Sequence, residues 1–293
     1  MPHNTHVLDG FNKDAGLVSL AAAKDYYLSL TEGWTPLHPP PQVIEHDGVS
    51  VVRDDFIVGT KARAVDLLAS KIQNKTIVYC QPRVGLAGVS LCSVAKEYNK
   101  EVVLFMPSSG KISLHQACCI ERGARAIFER IAAMPNLNLY AQRWAREHGA
   151  YFVPLGLKHE LSTAAIIQAA SQIPEPDEVY VAISTGVLAR ALQIAWPNAQ
   201  FTCIAVARNL KAGELGRAQV ISEPLDFSIS ENKENLPPFP TVATYDAKVW
   251  KYIPRDGKKR RVMWNVGTDP ILQDYSIIDN TISYRDWKKN NAQ

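Results

Sequence analysis

The chain is expected to be an α/β protein built as two three-layer α/β domains with mainly parallel sheets. Three observations carry that expectation. Short apolar runs of strand length alternate with segments of helical periodicity along most of the 293 residues. Several of these segments end at a strong stop, such as Pro107, Gly123 or Gly149. The 46% hydrophobic content suffices for one large core or two moderate ones.

Residues 51–58 read as a β-type run that ends at a Gly59-Thr60 turn. Lys61 then stands at the mouth of a helix marked by Ala62, Ala64, Val65, Leu67, Leu68 and Ala69 at helical spacing. Clefts form in open α/β sheets where a strand end feeds a helix in this way. A lysine desolvated there loses its proton more readily and becomes an amine nucleophile, as Schiff-base chemistry requires. A solvated first-turn lysine is the other reading of Lys61.

Downstream, residues 75–80 read as a buried strand and 88–98 as a helix. Residues 101–106 form the next strand, stopped by Pro107, and 113–122 a helix closed by Gly123 as its C-cap. A strand at 124–128, a helix at 137–148 closed by Gly149, and a strand at 150–153 follow. A further cycle runs from a strand at 178–183 through Ser184-Thr185-Gly186 into a helix at 187–195, then a strand at 201–206. Such alternation argues for parallel sheets with helices on both faces. Residues 213–240, with Pro224, Pro237, Pro238 and Pro240, read as a long irregular connection, which in a compact domain is often functional.

Charged residues make up 21% of the chain and the net charge is +3, so overall charge does not hold nucleic acid. The one dense basic run, Lys258-Lys259-Arg260-Arg261, reads either as a solvated turn or as a phosphate-contacting patch. Cys80, Cys92, Cys118, Cys119 and Cys203 show no CxxC pair or metal-ligand spacing, so buried reduced thiols are expected, with Cys118-Cys119 on a packed helix face. Residues 1–6 lack a basic region followed by an apolar one, and no apolar run reaches membrane-spanning length; the expected location is cytoplasmic. Residues 106–111 end in Gly-Lys but lack the upstream glycine and following hydroxyl of a phosphate loop. No Gly-x-Gly-x-x-Gly or Gly-x-Ser-x-Gly motif occurs, and the seven histidines do not cluster.

The order of Gly33-Trp34-Thr35-Pro36-Leu37, Arg53-Asp54-Asp55, Val58-Gly59-Thr60-Lys61-Ala62-Arg63, the loop Gln81 to Gly88, and Ser184-Thr185-Gly186-Val187 resembles the tryptophan-synthase-β-like superfamily, the fold type II pyridoxal-phosphate enzymes. That superfamily includes aminocyclopropane-carboxylate deaminase, threonine synthase and the serine/threonine dehydratases. The resemblance spans roughly residues 30–210 and, more loosely, 262–268. It implies two discontinuous domains, residues 1–61 with 157–293 around the cofactor and 62–156 as the smaller one. It implies pyridoxal 5'-phosphate on Lys61 as an internal aldimine, lyase chemistry on an α-amino acid, and a homodimer.

Further site residues follow from the resemblance. Ser184, Thr185, Gly186 and Val187 correspond to the phosphate cradle, where the family usually carries a glycine-rich run; an ordinary helix N-cap is the other reading. In the loop, Gly85 and Gly88 match the family, but Leu86-Ala87 replaces its Asn-His pair and Arg83 stands where a small hydroxyl is usual. Arg83 could grip a carboxylate or phosphate, or be a plain loop arginine. Asn265, Thr268 and Asp269 are candidates to face the pyridine nitrogen, and Tyr245 either lies over the ring or belongs to the core. The altered loop also admits a decarboxylase that trims an amino acid attached to a modified thymine in bacteriophage DNA, with Lys258 to Arg261 as the DNA contact. A catalytically silent member, kept as a binding protein, is the reading from another class.

Overall fold

A computed structural model of the chain describes residues 19–108, 111–130, 133–207 and 215–279. Of these, 19–67 with 158–268 form one compact unit, and 68–157 with 269–279 form another.

The first unit is built on six strands: β1 (Val43–His46), β2 (Val49–Arg53), β7 (Glu178–Ile183), β8 (Gln200–Ala205), β9 (Gln219–Ser222) and β10 (Arg261–Asn265). Their order is β1-β2-β10-β7-β8-β9. Only β1 and β2 run antiparallel, joined at Asp47 and Gly48, both at positive φ as a tight hairpin turn demands. The other pairings are parallel, with Asn265 beside Arg53 and Ile183 beside Ala205. On one face, Val49, Val51, Tyr180, Ala182, Ile204 and Met263 pack against Phe239, Val249, Trp250 and Ile253, part of them on a 3-10 helix at Asp246–Tyr252. The helices α1 (Leu20–Ser29), α6 (Glu160–Ala170) and α7 (Val187–Ala195) pack on one another. Trp196, just after α7, lies 6.0 Å from the Trp264 ring of β10.

Two expectations are corrected here. The run expected to stay extended to residue 58 leaves the sheet at Arg53, and Asp54–Phe56 is a 3-10 turn. The cause is Asp54, fully buried, which must curl inward to accept hydrogen bonds from Thr60 Oγ1 (2.7 Å), Arg63 Nε (2.9 Å) and Trp264 Nε1 (2.9 Å). The segment 213–240 is not wholly irregular either, because β9 extends the sheet alongside β8. An edge strand of four mostly exposed residues satisfies backbone groups without needing an apolar run.

The second unit has a parallel sheet in the order β5-β4-β3-β6, from β3 (Thr76–Cys80), β4 (Glu101–Pro107), β5 (Arg125–Glu129) and β6 (Tyr151–Val153). Alternation along the strands sends Val78, Cys80, Val103 and Phe105 to one face, where Leu137, Ala141 and Ala145 of α5 (Met134–Glu147) cover them. The helices α3 (Ala87–Glu97) and α4 (Leu114–Glu121) pack together. Ser113 and Gln116 form a capping box at the start of α4, and Gly123 ends it at φ 89°. All five cysteines are buried free thiols. No described helix is long and apolar enough to cross a membrane.

Candidate functional site

Lys61 is the second residue of α2 (Thr60–Lys71). Gly59, at φ 81°, turns the chain into that helix. Thr60 is pinned at two atoms: its N–H donates to the Val266 carbonyl (2.9 Å) and its hydroxyl to Asp54 (2.7 Å). The backbone position of Lys61 is therefore set by β2 and β10 together. Lys61 is half-buried. Desolvation, assisted by the positive charge of Arg190, pulls its ammonium down to about 8. At neutral pH about a tenth of the amine is then deprotonated, far more than for a solvated lysine.

In the same unit Ser184, Thr185 and Gly186 connect β7 to α7. Gly186 sits at φ 74° as the residue before the first turn of α7. A Cβ there would come within 2.4 Å of Leu215 Cδ2 and 3.0 Å of Arg190 Nη1, so the turn admits glycine alone. Arg190, only 7% exposed, donates from Nη2 to the Thr185 carbonyl at 3.0 Å. The N-terminal N–H groups of α7, starting with Val187, give this turn the positive end of a helix dipole.

Tyr245 and Asp246 join the cradle to β10. The Tyr245 hydroxyl donates to the Ala182 carbonyl at 3.2 Å, and burial pushes its phenol far above the usual range. Asp246 is fully buried: Oδ2 accepts the Val266 N–H at 2.7 Å and Oδ1 has no protein partner. Burial, with Asp54 and Asp55 nearby, raises this carboxyl well above its usual range. Asn265, also fully buried, donates from Nδ2 to Asp55 (2.8 Å) and to the Pro240 carbonyl (2.9 Å), while its Oδ1 has no protein partner. Thr268 is half-buried three residues on. Hydrogen bonds thus run from Thr60 through Val266 to Asp246, and from the adjacent Tyr245 to the end of β7.

Arg83, Gly85 and Gly88 belong to the other unit. Their loop is organised by Gln81, which is fully buried. Its Oε1 accepts the Gly88 N–H (2.8 Å), and its Nε2 donates to the carbonyls of Pro82 and Gly85 (both 2.9 Å). A Cβ on Gly88 would come within 2.4 Å of Gln81 Oε1. The Gly88 N–H is already committed, whereas Gly85, at φ 136°, has open space around its α-carbon. Arg83 is exposed and donates to the Lys111 carbonyl at 2.9 Å. Asp269 faces His115 at 3.6 Å. Within the basic run, Arg261 is buried against Glu178 (2.7 Å) and Asp256, and Lys259 also reaches Glu178 (2.6 Å), while Lys258 and Arg260 are exposed. Residues 1–6, and Ser109 and Gly110 of the rejected phosphate loop, lie outside the described residues.

Arg190, Asp246 and Gln81 are the participants that the sequence reading does not single out. Arg190 carried a signal, as a lone charge in the apolar helix Val187–Ala195. The other two carried none.

Comparisons with known proteins place this geometry in a fold. No family model matches the chain, and neither does any curated protein sequence. Solved structures do. An ACC deaminase homologue is 15% identical, covers 82% of this chain and 94% of its own, and superposes with a TM-score of 0.68. Maize serine racemase is 12% identical over 91% of this chain and 98% of its own, with a TM-score of 0.65. A pyridoxal 5'-phosphate-dependent aspartate racemase is 11% identical over 88% and 97%, at 0.59. The chain has the fold of these proteins, which is the fold type II architecture that its motif order resembles.

Proposed function

We propose that this chain is a pyridoxal 5'-phosphate-dependent lyase acting on an α-amino acid, or on a substrate that bears one, with Lys61 as the cofactor-carrying residue. The observation that carries the reading is a half-buried lysine with its ammonium pulled down to about 8, hydrogen-bonded through its neighbour into the same network as a glycine turn at a helix N-terminus. The residues fit the cofactor in two respects. A Cβ at Gly186 would fill the turn, so the turn is kept open for close backbone approach. The donor set around Thr185 and Gly186 is positive, as a phosphate requires.

When bound, the cofactor supplies an electron sink for bonds at the substrate α-carbon. The chain's own residues do the rest. Lys61 Nζ supplies a neutral amine and, once displaced by the substrate amine, holds and returns a proton. Ser184, Thr185, Gly186 and Val187 hold the phosphate, and Tyr245 supports that turn from below through Ala182. Asn265 and Thr268 are the neutral side chains offered to the pyridine nitrogen. Arg83 and Gly85 are assigned to the substrate side, and Gly88 makes room for Gln81.

The finer choice among elimination, deamination and decarboxylation rests on the loop, where Leu86-Ala87 departs from the resemblance. Decarboxylation of an amino acid carried on DNA would have to rely on Lys258 and Arg260, since Lys259 and Arg261 are engaged with Glu178. Borohydride reduction of the purified protein with the cofactor should fix one pyridoxyl mass increment on the peptide containing Lys61. Lys61→Ala should lose both the increment and the visible absorbance while keeping its melting transition. A pyridoxyl group on any other lysine would overturn the assignment.

A further inference from the structure

We propose that Arg190 is a second phosphate-binding element of this chain, holding the Ser184-Thr185-Gly186 turn in its left-handed form and supplying the guanidinium that a phosphate monoester meets there. The inference rests on the functional reading above and adds to it a side chain which that reading does not use.

The geometry is specific. Arg190 lies in the first turn of α7, its own N–H bonded to the Gly186 carbonyl at 3.0 Å. Its side chain folds back over the turn, with Nη2 on the Thr185 carbonyl at 3.0 Å and Nη1 within 3.0 Å of the point where a Gly186 Cβ would stand. A buried guanidinium with one edge engaged by the turn keeps a planar fork for an oxyanion.

The charge balance points the same way. A phosphate monoester carries roughly −1.5 to −2 at pH 7, and a helix N-terminus offsets only about half a charge. Lys61, consumed as a neutral amine, cannot supply the remainder. This turn contains a single glycine, flanked by Ser184, Thr185 and Val187, so few backbone N–H groups can approach a ligand closely. Arg190 is the charged side chain set against the turn. Its field also reaches Lys61, whose ammonium it disfavours. Arg190 therefore acts on phosphate directly and on Lys61 as a positioning residue.

The test uses full-length protein freed of cofactor, in wild type, Arg190→Met and Arg190→Lys. Inorganic phosphate affinity is measured by calorimetry. The Lys61 pKa is read from the pH dependence of its labelling by an amine reagent, located by mass spectrometry. Arg190→Met should lose roughly ten- to a hundredfold in phosphate affinity, as for a lost charge-assisted hydrogen bond. Its Lys61 midpoint should move up from about 8. Arg190→Lys should restore that midpoint but recover phosphate only in part, since a point charge lacks the fork. Wild-type phosphate affinity in Arg190→Met, or an unmoved midpoint, would overturn the proposal. Should Arg190→Met not fold, undiminished phosphate affinity in Arg190→Lys would overturn it equally. A parallel arm compares pyridoxal 5'-phosphate with pyridoxal and scores borohydride labelling. No pyridoxyl on Lys61 in wild type sinks the lyase reading while leaving the phosphate result standing. Labelling together with unchanged phosphate affinity in the variants sinks Arg190 alone.

Discussion

The end of the first unit's sheet and the Gln81–Gly88 loop of the second unit solve the same local problem in opposite ways. Each must hold an irregular turn after a parallel strand, where backbone groups lack ladder partners. The first unit uses charge. Asp54, Asp246 and Arg190 are all buried, and they tie the segment before Lys61 and the Thr185 turn into the sheet. The second unit uses one neutral amide, with Gln81 making three bonds into its own loop. Buried charges shift proton affinities and a neutral amide does not. Proton chemistry is therefore expected from the first region, and shape alone from the second.

The largest effect that could break this contrast is expected at Gly186. Gly186→Ala combines a left-handed φ with contacts of 2.4 Å to Leu215 and 3.0 Å to Arg190, costing roughly 2–4 kcal/mol in strain and overpacking. Gly48→Ala in the β1–β2 hairpin has nearly the same φ, 76°, with nothing within 4 Å, and should cost only the backbone strain. Melting curves and cofactor titration of both variants separate the two contributions. Equal losses in cofactor affinity would place the site elsewhere.

A smaller effect is expected in the second unit. Gln81→Ala leaves the Gly88 N–H and two carbonyls without their partner, for a loss of roughly 2–3 kcal/mol in stability. The Lys61 labelling midpoint should not move. Gly88→Ala alone must displace Gln81 Oε1, but in the Gln81→Ala background that obstacle is gone, so the double variant should be far less damaged than the sum. Additive losses would show that Gly88 is needed for another reason.

The alternation from β3 to β8 was legible because each element is an apolar run between strong stops, which is local information. The four-residue β1 and β9 offered mostly exposed or half-buried residues and no apolar run to find. The sequence reading likewise assigns nothing to α1, whose buried stripe is only Leu20, Ala23 and Tyr27. At the site, Lys61 stood out because a lysine between Gly59-Thr60 and an apolar helix is locally odd. Asp246 could not stand out. Its meaning depends on Val266, 20 residues away, and its neighbour Tyr245 reaches Ala182 across 63. The turn at Asp54–Phe56 was hidden for the same reason, since Trp264, 210 residues on, is one of the groups that draw Asp54 inward. What escaped the sequence reading was held by tertiary hydrogen bonds, and those bonds concentrate in the charged region.

The smallest predicted effect tests whether the charge there is a liability to the fold. Asp246 is protonated more readily folded than unfolded, because burial and the carboxylates of Asp54 and Asp55 oppose its ionisation. A raised folded pKa means that the native state binds the extra proton. The stabilisation is therefore fully present below the unfolded value, near 3.8, and is lost as pH rises through the folded one. Within that window stability declines by about 1.4 kcal/mol per pH unit from this group alone. Asp246→Asn keeps an oxygen for the Val266 N–H and cannot ionise. Its melting temperature relative to wild type should climb as pH rises above 3.8 and level off once wild-type Asp246 has ionised. Other titrating groups are common to both proteins and cancel in the difference. A difference that is flat with pH would show that Asp246 ionises normally, and the contrast between a charged region and a neutral loop would then rest on Arg190 and Lys61 alone.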